Sequence, residues 1–169
     1  SGSRLQFVSD APLERITGGS SNVGGEFTAD TSSLGSARGR ITVPVASIGT
    51  ALELRDEHLH GPDWLDAARY PTATFEITRV EGATALVPNE VARVTLVGNF
   101  TIHGHTHEVR ASTQVRLIPG GGEGGRDLIR AQARFTIQLS DYDVSISAPV
   151  RLKVSNTITV NVSIRATAT

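Results

Sequence analysis

Between Arg93 and Ile102 the chain alternates without a break. Val94, Leu96, Gly98, Phe100 and Ile102 fall on one side of an extended segment; Arg93, Thr95, Val97, Asn99 and Thr101 fall on the other. A period of two is the mark of a half-buried strand, whereas an amphipathic helix needs 3.6. The pattern recurs. Val109, Ala111, Thr113, Val115 and Leu117 alternate with Arg110, Ser112, Gln114 and Arg116. Ile129, Ala131, Ala133, Phe135, Ile137 and Leu139 alternate with Arg130, Gln132, Arg134, Thr136 and Gln138. Ile158, Val160, Val162, Ile164 and Ala166 form another such face, and Ala73, Phe75 and Ile77 a shorter one. Ile41, Val43 and Val45 alternate too, with Pro44 marking an edge or a bulge. Leu5–Ser9, Val23–Thr28 and Pro149–Val154 read as minor strands, and residues 82–89 and 119–125 as loops. Evenly spaced strands joined by hairpin turns define an all-β, antiparallel barrel or sandwich.

Sequence alone also proposes a register for the central hairpin. A two-residue turn at Gly104-His105, with Gly first as a type II′ turn prefers, sets Ile102 opposite His107, Phe100 opposite Val109, Gly98 opposite Ala111 and Val94 opposite Val115. Every apolar position then shares one face, as a sheet with one buried side requires. His107 is expected to face inward, with His103 outward and His105 in the turn.

One stretch breaks the strand pattern. Thr50 to Arg69 reads as a helical insertion: Thr50 and Glu53 have the spacing of a capping box, Gly61-Pro62 supplies a stop, and Asp63 can cap a second short turn that ends at Tyr70-Pro71. The remaining properties act mainly by exclusion. At 169 residues the prior is a single domain over 1–169, with residues 1–3 a cloning remnant or a processed end; a signal peptide removed earlier would leave no trace. No apolar run is long enough to span a bilayer. The absence of Cys removes disulfides and thiolate chemistry, and a net charge of −1 gives no overall attraction to nucleic acid or an anionic membrane.

The segment RDEHL (55–59), the following DWLDAARYP and the strand TATFEI resemble the signature of the YceI-like family. GNFTIHGHTHEV (98–109) is similar to that family's hairpin, and FTIQLSDYDV (135–144) to a later strand end. Asp143 stands where the family typically has Gly, Leu139 where it often has Arg, and its early His residues have no match here. The resemblance implies a lipocalin-like barrel that holds a long apolar molecule such as a polyisoprenoid or fatty-acid derivative. It also implies a non-enzymatic carrier in a periplasmic or secreted setting, a cytoplasmic one being the alternative, and leaves oligomeric state open.

Several positions are then candidates to line a cavity. The inward face is rich in small residues: Gly98, Ala111, Ala131, Ala133 and Ala166. Because protein interiors are packed to crystal density, small residues on facing strands require either close backbones or an occupant. Ala111, Ala131 and Ala133 are accordingly assigned to the ligand site with Phe75, Ile77, Val94 and Leu96. Phe100, Ile102, Val109, Phe135, Val160 and Val162 complete its walls. Trp64 and Leu65 of the insertion either contact the ligand or, with Leu59, plug the barrel. His107 or Arg79 would orient a polar head group at the mouth.

Other chemistry finds little support. His58, His60, His103, His105 and His107 do not converge under the expected register, so no metal or other cofactor is assigned, a surface pairing of His60 with His105 or His107 being the one alternative. Arg55, Asp56 and Glu57 read as helix tethers rather than acid–base groups. Ser140-Asp141 lacks a nucleophile elbow. Pro119–Gly125 lies between strands, where a phosphate cradle needs a helix after it. Arginines alternate along many strands without aromatic partners, so nucleic acid is not an expected ligand. The rival readings are an enzyme using the cavity with His107 as acid–base and an interaction module with a packed core.

Overall fold

The strands are β1 (Arg4–Asp10), β2 (Arg15–Ser20), β3 (Gly24–Asp30), β4 (Ser33–Pro44), β5 (Thr72–Glu81), β6 (Val91–Ile102), β7 (His105–Ile118), β8 (Leu128–Gln138) and β9 (Thr157–Thr167). A helix, α1 (Glu53–His60), follows β4. This computed structural model describes residues 2–82 and 85–168; of the loop expected at 82–89, positions 83 and 84 lie outside the described residues. All pairings are antiparallel and give one nine-stranded sheet in the order β2-β1-β9-β8-β7-β6-β5-β4-β3. The sheet curls into a lipocalin-like barrel. The edge strand β2 is bridged to the segment after β4, where Gly19 and Gly49 exchange N–H···O bonds of 2.9 Å in both directions.

That bridge explains a strand the alternation does not reveal. β2 reads RITGGS, with no periodic apolar face. Its glycines are there for proximity: a Cβ on Gly18 would lie 2.6 Å from the Gly49 carbonyl, and one on Gly19 would lie 2.1 Å from that of Leu5. A side chain at Gly18 would push β2 away from Gly49, and one at Gly19 would push it away from β1.

The central hairpin is paired two residues away from the expected register. Ile102 faces His105, Phe100 faces His107, Gly98 faces Val109 and Val94 faces Thr113. The turn is His103-Gly104, with φ of 55° and 72°, both left-handed as a type I′ turn demands. His tolerates that region better than most residues, and His103 Nδ1 donates to the Tyr142 carbonyl at 2.8 Å. Gly104 is needed because the Tyr70 ring covers it, 2.6 Å from where a Cβ would sit. Since a slip of two residues leaves every side chain on its original face, alternation could not distinguish the two registers.

The insertion also departs from expectation. α1 starts at Glu53 with Leu52 as N-cap, and no side chain caps it. The capping box fails because Thr50 is engaged elsewhere: its N–H and hydroxyl both donate to Asp56 Oδ1, at 2.8 and 2.7 Å. Arg55 Nε donates to Thr50 Oγ1 at 2.8 Å, and its Nη1 lies 3.4 Å from Glu14 Oε1, tying the helix to the β1–β2 turn. Gly61 ends the helix in extended geometry, not a left-handed cap. Residues 62–69 form consecutive turns rather than a second helical piece, with Asp66 buried at φ 49°. Likewise Ala148–Leu152 is a 3-10 turn, not a strand. Asp143 takes φ 58°, the conformation for which Gly is the default and which Asp tolerates.

Candidate functional site: an apolar channel inside the barrel

Two adjoining cavities occupy the barrel. The first, about 290 Å³, lies beneath β4 to β9. The second, about 220 Å³, lies between β1, β9 and the insertion. They share the wall residues Leu5, Ala73 and Phe100, so the two cavities adjoin at a common waist. An aromatic cluster builds that waist. Phe100 packs edge-on against Phe135 and Tyr142, with ring centroids 5.3 and 5.7 Å away, and Phe75 stacks on Phe135 at 5.9 Å.

The first cavity collects most of the residues assigned from alternation. Phe75 and Ile77 of β5, Val94 and Leu96 of β6, and Ala111 of β7 line it. So do Ala131, Ala133 and Phe135 of β8 and Val162 of β9. Trp64, Leu65, Ile102 and Val160 line the second, with His58 and Leu59. Val109 is buried in the core between Gly98 and its neighbours and touches neither cavity.

His107 does not line either cavity. It sits beyond the end of the channel, where the 3-10 turn Leu139–Tyr142 closes over the sheet. There its ring packs edge-on against Tyr142 at 5.0 Å, and Nε2 donates to the Asp141 carbonyl at 2.7 Å. Arg79 is also outside. A bulge between Ile77 and Arg79 turns it outward, where Nε bonds Glu81 at 3.0 Å. Arg110 joins that carboxylate, and the two guanidinium groups hold the Glu81 carboxyl below its usual range.

The polar atoms that border the channel are concentrated toward its two ends. Arg38, Asp127, Thr28, Thr31 and Thr167 border the outer end of the first cavity; Ser9, Thr50, Arg55 and His58 border the second. Exposed Phe27, Arg38, Asp127 and Ala168 mark the outer end as the mouth. The tip of the β3–β4 hairpin leans over it: Leu34 is buried, and Leu86 packs beside it with its N–H bonded to the Thr31 carbonyl at 2.7 Å. Sequence reasoning missed Leu34, Arg38 and Leu86, because that hairpin end pairs with no neighbour beyond Gly39.

His60 and His105 are committed to backbone carbonyls, of Ile48 at 2.6 Å and of His103 at 2.7 Å, while His58 borders the second cavity. Among the described residues no cluster of three His, Asp or Glu side chains could hold a metal. The phenol oxygen of Tyr142 is buried without a partner among the described residues, and burial pushes its pKa up to about 12.

A curled antiparallel sheet around apolar interior cavities defines the class of lipocalin-like barrels. The particular family follows from the sequence: the YceI-like domain profile matches residues 1–166, and the chain belongs to that family. Protein YceI of Escherichia coli O157:H7 is 30% identical over 124 residues, covering 71% of this chain and 59% of the relative. A UPF0312 protein of Pseudomonas aeruginosa (strain LESB58) is 31% identical over 124 residues, covering 72% of this chain and 60% of that protein. The chain thus spans about three fifths of the length of these relatives. Among solved structures, BcnA of Burkholderia cenocepacia superposes with a TM-score of 0.78 at 20% identity, covering 98% of this chain and 96% of that one. A polyisoprenoid binding domain from Saccharophagus degradans gives 0.75 at 18%, covering 99% and 94%. Among the described residues no helix is long and apolar enough to cross a membrane.

Proposed function

We propose that this chain, as one barrel domain, binds and carries a long apolar molecule such as a polyisoprenoid or fatty-acid derivative, without chemistry of its own. The observation that carries the reading is the pair of apolar cavities that adjoin at Leu5, Ala73 and Phe100, with polar residues among those that border each. Such a shape suits a molecule with a long hydrocarbon body and one polar head. Desolvation supplies the affinity at about 0.8 kcal/mol per buried methylene. Arg38 and Asp127 at the mouth take the roles first given to His107 and Arg79, since they border the cavity and those two do not. The neighbouring polyisoprenoid binding domain supports the ligand class. A periplasmic or secreted location belongs to the same proposal, because a carrier is useful where apolar cargo must cross water between membranes.

The test is mass spectrometry of an organic extract of the purified protein, together with uptake of an added isoprenoid. One apolar molecule per chain, displaced by the isoprenoid, is the expected result. Extracts free of lipid from several hosts, with no uptake, would overturn the proposal.

A further inference from the structure

The net charge of −1 conceals a strong segregation. On the outer face of the sheet Arg116, Arg130 and Arg165 lie directly opposite one another across β7, β8 and β9. Directly opposed like charges oppose pairing of their strands, so this row works against the sheet that carries it. Arg93, Arg134 and Arg4 share the same outer face on neighbouring rungs, opposite Gln114, Ser112 and Ser163. All of these side chains are exposed, and none forms an ion pair among the described residues. Between them runs a shallow outer groove lined by Arg93, Gln114, Gln132, Arg134, Asn161 and Ser163. The nearest carboxylates are few. Glu81 at one edge is held by Arg79 and Arg110, Asp127 accepts the Gly120 N–H at 3.1 Å, and Glu90 and Glu123 sit in the flanking loops.

The position of the row matters as much as its charge. Arg116, Arg130 and Arg165 each neighbour a residue that lines the first cavity: Leu117, Ile129 and Ala166. Arg130 and Arg165 also stand three residues along the chain from Asp127 and Ala168, which border the mouth, so the basic row lies close to its outer rim. Exposed apolar side chains flank it, with Val91 directly opposite Arg116, Val87 in the preceding loop and Phe27 at the mouth itself. Arginines matched to phosphates, beside apolar side chains that can enter an acyl layer, complement an anionic bilayer surface. A nucleic-acid surface would interleave aromatics with its cations, and the basic row contains none.

We propose that the outer face of β6–β9 docks this protein on an anionic phospholipid bilayer, with the cavity mouth turned toward the lipid. Docking is independent of what the channel holds. Binding to vesicles is measured without cargo, so a lipid-free channel does not decide it, and its failure does not decide the cargo reading.

The experiment is flotation of the purified chain with vesicles of phosphatidylcholine alone or mixed with phosphatidylglycerol, at low and high salt. Binding is expected only with phosphatidylglycerol, and is expected to fall as salt screens the surface. The triple variant R116Q/R130Q/R165Q is expected to bind on the order of a hundredfold more weakly, since each cation near such a surface contributes about tenfold or less. It should melt no lower than the parent, because it removes opposed like charges. The variant R116K/R130K/R165K keeps the charge and should keep most of the binding; were the glutamine triple to misfold, single glutamine variants would read the loss stepwise. Equal binding to neutral vesicles, no binding to anionic ones, undiminished binding by the glutamine variants, or tighter binding to duplex DNA than to vesicles would each overturn the proposal.

Discussion

Gly98 and Ala131 are both small and both face the barrel interior, yet they are small for opposite reasons. A Cβ at Gly98 would lie 2.4 Å from the Glu76 carbonyl oxygen and 2.8 Å from the Phe75 ring, so the position is small because its neighbours already fill the space. Ala131, with Ala133 and Ala166, is only partly buried and lines the first cavity, so these positions are small where no protein side chain packs against them. The barrel is thus close-packed where Gly98 meets Phe75 and the Glu76 carbonyl, and open at Ala131, two strands away. Small inward residues do not by themselves report a cavity; what stands opposite them decides.

The comparison breaks most visibly at Gly98. A Gly98→Leu variant forces a side chain against backbone that cannot rotate aside, and roughly 3 kcal/mol of stability should be lost by overpacking. Chemical denaturation reads it directly, and an unchanged midpoint would mean that the packed region has slack.

Tyr142, also on the packed side, supplies a pH-dependent contrast. Its phenol is neutral at ordinary pH, and burial raises its pKa to about 12. An unfolded Tyr ionises near pH 10, so this contribution to stability is whole below about pH 10 and is lost as pH rises toward 12. A Tyr142→Phe variant should lose less stability than the parent over that interval, as followed by thermal melts. At neutral pH the same variant should be about 1 kcal/mol more stable, because it removes a buried hydroxyl that has no partner.

The hollow side should show the smallest effect on folding. Ala131→Trp places a ring in space that is already empty, and ligand-free stability should stay within about 0.5 kcal/mol of the parent while isoprenoid uptake falls sharply. Ala131 is a better site for this than Ala111, which lines the same cavity but is only 1% exposed. Early unfolding of the ligand-free variant, or undiminished uptake, would erase the distinction between the two regions.

The alternation at 93–102, 109–117, 129–138 and 157–166 was sufficient to place long strands and to sort their faces, because the side of a strand depends only on parity. It carried most of the channel wall with it, including Ala131 and Ala133. Three matters lay beyond it. The register at His103-Gly104 turned on two left-handed residues and the Tyr70 ring, while a slip of two left the pattern unchanged. The edge strand β2 was invisible because its glycines serve close backbone approach, to Gly49 and to Leu5, which leaves no periodic trace. Periodicity placed His107 on the inward side by parity, but could not tell that neither cavity reaches it, that it is exposed, and that its ring packs on Tyr142. Side and spacing are local properties of a chain. Distance across a barrel, and the alignment of Arg116, Arg130 and Arg165 on its outside, exist only once distant strands have been brought together.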